Sequence, residues 1–176
     1  MASILTILIV AFGVLALLLV VYMTRRRAID LAQFDSLAEH LEPVPVAALL
    51  NLIDPAQQDY LQRTLQGKDF ARLQRIRNRA LLGYVHTIYR NAGILVQCAH
   101  AAAHSEMPEI SEAGRQLLNL ALFTRTQALR SIVSLGMSLV VPSAAVNLLP
   151  TVAKYVTATA RSTSLSAMLA QHSVSA

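Results

Sequence analysis

The sequence predicts an all-α protein, with a single transmembrane helix at the N-terminus followed by a small helical domain. That domain is expected to contain two long antiparallel helices and a broken C-terminal helix. The first supporting observation is a long uncharged run at the start of the chain. The second is a composition that is 55% hydrophobic and 14% charged, with a mean hydropathy of +0.48, which is more apolar than a typical soluble domain. The third is an abundance of Ala and Leu with no Trp, which favours helices over sheets.

Residues 1–27 are predicted to form an uncleaved membrane anchor. No charged side chain occurs from Ile4 to Val21, and Arg25, Arg26 and Arg27 follow. About 20 apolar helical residues span a hydrocarbon core of about 30 Å. Because the basic residues follow the apolar run, the pattern differs from a secretory signal and predicts an outside N-terminus and a cytoplasmic domain. The predicted anchor residues are Ile4, Leu5, Phe12, Leu18, Val21 and the interfacial Tyr22.

Residues 28–54 are predicted to form a juxtamembrane helix and a proline-containing linker. The stretch 28–42 carries its apolar residues on one helical side and acids elsewhere, and Pro43 and Pro45 end it. Because this acidic, amphipathic segment directly follows the predicted anchor, it should lie next to the membrane.

The helical domain is predicted to cover residues 55–157 and to start at a capped helix. Asp54 is placed as the N-cap, Pro55 as the first helical residue, and Gln57 at the capping-box position. No proline interrupts the following residues until Pro108, so one long helix can run to about His104, with Gly67, Gly83 and Gly93 as its weak points.

A second long helix is predicted after Pro108, with Glu109 in its first turn, where the helix dipole favours an acid. Pro142 should end or kink this helix, and Pro150 should break the chain again. Residues 158–176 are rich in Ser, Thr and Ala. They are therefore predicted to form a flexible tail.

The net charge of +5 is distributed unevenly. No acidic side chain occurs between Phe70 and Ser105, and none occurs after Glu112. At 100° per residue, a row of basic side chains falls on one side of the first long helix, opposite an apolar arc that includes Ile76, Leu81 and Ile88. We call this row the basic stripe: Lys68, Arg72, Arg75, Arg79, His86 and Arg90. It is either a solvated face that pairs partly with the acids of 28–42, or a surface attracted to anionic lipid headgroups. Nucleic acid is not expected, because no aromatic side chains are interleaved with the cations.

One cation falls on the apolar arc. Arg77 needs a partner there, since an unpaired buried charge costs several kcal/mol. The expected partner is an acid of residues 28–42 or Asp54.

No catalytic or metal site is predicted. His100 and His104 stand four residues apart and could share a metal, but two ligands are fewer than the three or four that a stable site needs. Cys98 is expected to be a small buried hydrophobe. No phosphate loop, dinucleotide fingerprint or nucleophile elbow occurs. The sequence therefore predicts a protein without enzymatic activity or a cofactor.

A seam of polar and small residues is predicted on the second long helix. Small side chains allow close approach of helices, so the seam suits a buried or partner-facing helix. A membrane-surface or re-entrant helix and a second span over residues 131–150 are the less favoured alternatives, because this uncharged stretch contains several polar groups. The seam residues are Gln127, Ser131, Ser134 and Ser138.

Together these patterns predict a membrane-anchored helical protein with a non-catalytic adaptor, scaffold or assembly role at the cytoplasmic face of the membrane. Its expected partners are membrane lipid and either a protein or a second copy of the chain. The alternatives are a peripheral module that binds anionic lipid through the basic stripe, and a His-ligated metal or haem protein.

Overall fold

The computed structural model describes residues 39–140 and 147–175. Within these ranges the chain is all-helical and contains no strand, which confirms the all-α part of the predicted fold class. No helix in these ranges combines the length and apolar character needed to cross a bilayer. The predicted anchor, the arginines at 25–27 and most of the 28–42 helix lie outside the described residues. The helices are α1 (Val46–Ile53), α2 (Pro55–Thr64), α3 (Gly67–Ala103), α4 (Pro108–Val140) and α5 (Leu149–Ser175).

The two longest helices, α3 and α4, form the predicted antiparallel pair. Three contacts establish their direction. The Ser111 hydroxyl donates to the Ala103 carbonyl at 2.9 Å, the Arg125 guanidinium lies 5.0 Å from the Tyr89 ring, and Asn78 bonds to Ser138. In these contacts residue numbers rise along one helix as they fall along the other, so α3 and α4 are antiparallel. The short turn between them is typical of neighbouring antiparallel helices.

The turn between α3 and α4 depends on a glycine. A Cβ atom added at Gly114 would stand 2.5 Å from the Ala103 nitrogen and 2.7 Å from the Ala102 carbonyl carbon. Both atoms belong to the backbone, so they cannot move aside as a flexible side chain could. Gly114 therefore lets the first turns of α4 pack directly on the last turn of α3.

Helix α5 packs along the α3–α4 pair, and it is continuous. The predicted break at Pro150 is wrong, because Pro150 occupies the first turn of the helix, where the missing N–H leaves no helical hydrogen bond unmade. The predicted flexible tail over 158–176 is also wrong. Ala158, Ser162 and Leu165 recur at helical spacing and are buried, so small side chains allow this part of α5 to dock.

The core extends along the whole bundle. Near α1 it contains Leu49, Val85 and Leu135, and at the α3–α4 turn it contains Ile110 and Leu165. These side chains are less than 2% exposed. Fully burying a side chain of this size contributes about 1.5–3 kcal/mol, so packing rather than helix propensity holds the helices together.

The start of the helical domain was predicted only in part. Asp54 is the N-cap, as predicted, and its carboxylate accepts a 3.0 Å hydrogen bond from the Ala56 nitrogen. The capping box is wrong, since the Gln57 amide donates to the Asn51 side chain instead. The single helix to His104 is wrong as well. Helix α2 has no buried residue and hence no face to pack, and the chain turns at residues 65–66 before α3 begins.

Candidate interaction surfaces

The basic stripe lies on the outward side of α3. All six of its side chains are exposed. The opposite side of the helix is buried, with Leu81, Val85 and Ile88 in the core, as the predicted apolar arc requires. Ile76, which was predicted to lie on that arc, is 59% exposed. It precedes Arg77 by one residue and so points about 100° away from the buried line.

One cation of the stripe pairs with an acid in the described part of the chain. Arg90 Nη1 lies 2.7 Å from Glu42 Oε1, which agrees with the predicted pairing to the 28–42 segment. Asn91 fixes the backbone of Glu42, accepting from its nitrogen at 3.1 Å and donating to its carbonyl at 2.7 Å. Since both charged side chains are largely exposed, the pair contributes at most about 1 kcal/mol.

Arg77 is buried as predicted, but its partner differs. Its Nη2 atom donates a 2.6 Å hydrogen bond to the carbonyl of Leu52, in the last turn of α1. Burial lowers the pKa of Arg77, while the nearby charge of Asp54 partly opposes that effect. No ion pair joins Arg77 to an acid within the described residues, although the charge of Asp54 acts on it. Asp30 and Asp35, two acids of the predicted partner segment, lie outside the described residues. The carbonyl end of α1 supplies the negative partial charge instead.

The two candidate metal ligands are exposed neighbours on α3. The Nδ1 atom of His104 lies 2.8 Å from the carbonyl oxygen of His100, and the ring centroids are 4.6 Å apart. Across the ranges that the structure describes, no three His, Cys, Asp or Glu side chains converge to hold a metal ion. Cys98 is buried in the core, and burial raises the pKa of its thiol to about 11.

The predicted seam on α4 faces the inside of the domain. Ser138 is fully buried and accepts from Asn78, whereas Ser131 bonds to Thr151 of α5 at 3.1 Å. Gln127 and Ser134 are half-buried. The seam therefore joins helices of this chain, which agrees with the buried helix, the first of the two leading alternatives, and not with a partner-facing one.

An exposed apolar surface on α4 was not predicted from the sequence. Its side chains are 45–60% exposed. They lie at helical spacing on the side opposite the buried residues Leu117, Ala121, Ala128 and Leu135. We call these residues the apolar row: Leu122, Leu129, Val133 and Met137. The signal was hidden because α4 carries apolar residues on both sides, and only the serines stood out.

Comparisons with protein-family models, with curated protein sequences and with solved structures find no match to this chain. The basic stripe and the apolar row are the candidate interaction surfaces of this chain.

Proposed function

We propose that this protein is a single-pass, membrane-anchored helical adaptor that binds an acidic protein partner through the basic stripe at the cytoplasmic face of the membrane. The observation that carries the proposal is the stripe itself. Its cations are exposed on one face of a rigid helix, and Arg90 alone among them has an acidic partner within the described residues.

The stripe has the dimensions of a protein-binding surface. From Lys68 to Arg90 it extends about 33 Å along α3, at 1.5 Å per residue. No acidic side chain lies between Phe70 and Ser105, and Glu42 pairs with the stripe at one end, through Arg90. A row of like charges of this length attracts an oppositely charged partner and accelerates its association.

The proposed anchor rests on the sequence. The uncharged run from Ile4 to Val21 has the length of a bilayer span, and the three arginines after it favour a cytoplasmic domain. The adaptor role is a separate proposal from the anchor, and it rests on the exposed surfaces of the helical domain.

A second candidate function is favoured by the same exposed cations. The stripe could bind anionic lipid headgroups directly, with each cation near the surface contributing about 1 kcal/mol. If the stripe binds a protein, its removal should abolish binding of that partner. If it binds lipid, its removal should abolish attraction to anionic vesicles.

The proposal is tested by crosslinking in native membranes, purification of the full chain, and identification of the proteins that accompany it. Arg75→Glu together with Arg79→Glu should remove the partner. Arg63→Glu together with Arg161→Glu changes the net charge equally at exposed sites outside the stripe and should retain it. Exchange of acidic residues for lysine on the identified partner should restore binding to the stripe variant. If both variants retain the same proteins, the stripe is not the binding surface.

A further inference from the structure

We propose that the apolar row of α4 lies on the surface of an anionic phospholipid membrane. This inference rests on the proposed membrane anchor, and it assigns to the helical domain a second, peripheral contact with the same bilayer. Soluble domains rarely leave a row of several large apolar side chains in water, and such a row marks an interaction surface.

The row is built like an interfacial helix. Leu122, Leu129, Val133 and Met137 are 45%, 49%, 55% and 60% exposed, and they follow one line along α4. From the first to the last of these residues the helix rises about 22 Å. The flanking Phe123 is 46% exposed. A helix of this kind lies in the plane of the bilayer with its apolar side chains among the headgroups and upper acyl chains.

The charges around the row select an anionic surface. Arg115 and Arg130 are exposed on the same side of α4, and Lys154 of α5 extends over the Phe123 ring, with Nζ 5.6 Å from its centroid. No acidic side chain occurs anywhere from residue 113 to the end of the chain. The nearest acid on this side of α4, Glu112, lies ten residues before Leu122. An apolar line flanked by three cations matches a leaflet that contains acidic lipids.

The same charges disfavour a second copy of the chain as the occupant. In a two-fold contact, the same patch meets itself. The cations at Arg115 and Arg130 of both copies would then be concentrated around one interface, with Glu112 as the nearest acid on that side of α4. The excess of like charge opposes such an association.

The bundle separates the apolar row from the basic stripe. Helices α3 and α4 pack face to face, and each of these two surfaces lies on the side of its own helix away from the other. A flat membrane that contacts the row therefore leaves the stripe of α3 open to the cytoplasm, where it can bind an acidic protein.

The inference is tested with the full chain reconstituted into vesicles of phosphatidylcholine, with or without phosphatidylserine. A cysteine at Val133, labelled with a polarity-sensitive fluorophore, reports contact between the row and the lipid. Gly83→Cys provides the matched control on the outward side of α3, since a Cβ there meets no atom within 4 Å. Cys98 is buried in the core, and a Cys98→Ala background removes any contribution from it.

With phosphatidylserine present, the label at 133 should shift to the blue and resist an aqueous quencher, while the label at 83 should remain exposed to water. Arg115→Gln with Arg130→Gln should reduce the ratio of docked to free label roughly 30-fold, because each cation near an anionic surface contributes a factor of about five. Arg75→Gln with Arg79→Gln, which changes only the stripe, should leave the ratio unchanged.

Two results would overturn the inference. One is a label at 133 that is as exposed as the label at 83 in vesicles with phosphatidylserine. The other is protection in neutral detergent that increases with protein concentration, which would identify a second copy as the occupant. Alkaline extraction of the same vesicles separates the two proposals: loss of the protein from the vesicles contradicts the anchor, whereas retention with an exposed label contradicts only the lipid contact of α4.

Discussion

The side-chain amide of Asn78 donates a 2.9 Å hydrogen bond to the hydroxyl of Ser138, joining two buried residues that lie 60 positions apart in the chain. This bond connects α3 to α4 at the end of the pair that is far from their turn. The Ser138 hydroxyl in turn donates to the Leu135 carbonyl at 2.7 Å. A buried polar pair of this kind favours one register of the two helices, since sliding would leave the Asn78 amide donor without its acceptor.

Ser138→Ala should lower the free energy of unfolding by about 1–3 kcal/mol, because it leaves a buried amide donor of Asn78 without an acceptor. Ser134→Ala, on the same helix but half-buried, should change it by less than about 0.5 kcal/mol. Chemical denaturation in detergent, followed by circular dichroism, measures both. Equal effects of the two substitutions would show that the Asn78 bond does not stabilise the helix pair.

The two glycines of α4 should respond to alanine with opposite signs. Gly114→Ala forces the new Cβ against the backbone of Ala102 and Ala103 and should destabilise the fold by about 1–3 kcal/mol. Gly136→Ala meets no atom within 4 Å and should stabilise the helix by up to about 1 kcal/mol. Thermal melting of the two variants makes the comparison. A stabilising Gly114→Ala would mean that the α3–α4 turn is looser than described.

Arg77→Met should be tolerated better than Arg77→Ala. The guanidinium donates to the Leu52 carbonyl, but the residue is only 8% exposed, so the volume of the side chain also contributes to packing. Methionine retains most of this volume at a cost of about 1.5 kcal/mol or less, whereas alanine leaves a cavity that costs about 2–5 kcal/mol. Urea denaturation of both variants tests the ranking, and equal small effects would indicate an exposed side chain.

Cys98 should be protected from thiol reagents in the folded protein. Burial raises the pKa of its thiol from 9.0 to about 11, which lowers the thiolate fraction about 100-fold at neutral pH. The fold favours the neutral thiol over the thiolate. The folding stability that this preference provides is complete below pH 9 and is lost as the pH rises through about 11. Reaction rates with a thiol-specific chromogenic reagent, with and without denaturant, check the protection. Equal rates in the two conditions would contradict burial.

The parts of the fold that the sequence predicted carry strong local signals. Pro108 with Glu109 marks the start of the second long helix, and Asp54 with Pro55 marks the N-cap of α2. The break before α3 contains no proline, so a full stop was not predicted there, although it lies next to Gly67, one of the predicted weak points. It depends on a short helix that has no buried residue.

The C-terminal helix and the inward or outward direction of the α4 side chains could not be predicted from composition. Ala158, Ser162 and Leu165 form a buried line whose polar and small members resemble those of an unfolded tail. Ser138 turns inward against Asn78 of α3, and Ser131 turns inward against Thr151 of α5. Both are long-range contacts that no local pattern encodes. The cations of the stripe were predictable, since exposure on one helical side follows directly from their spacing.

Alkaline extraction of native membranes that contain the full chain, with a reporter fused after Ala176, is the sharpest test of the anchor and its orientation. We expect the protein to remain in the membrane pellet, with the reporter on the cytoplasmic side. Replacement of Arg25, Arg26 and Arg27 by glutamate should weaken this orientation. Recovery of the protein in the soluble fraction would contradict the anchor, and a reporter on the outer side would contradict a single span with a cytoplasmic domain.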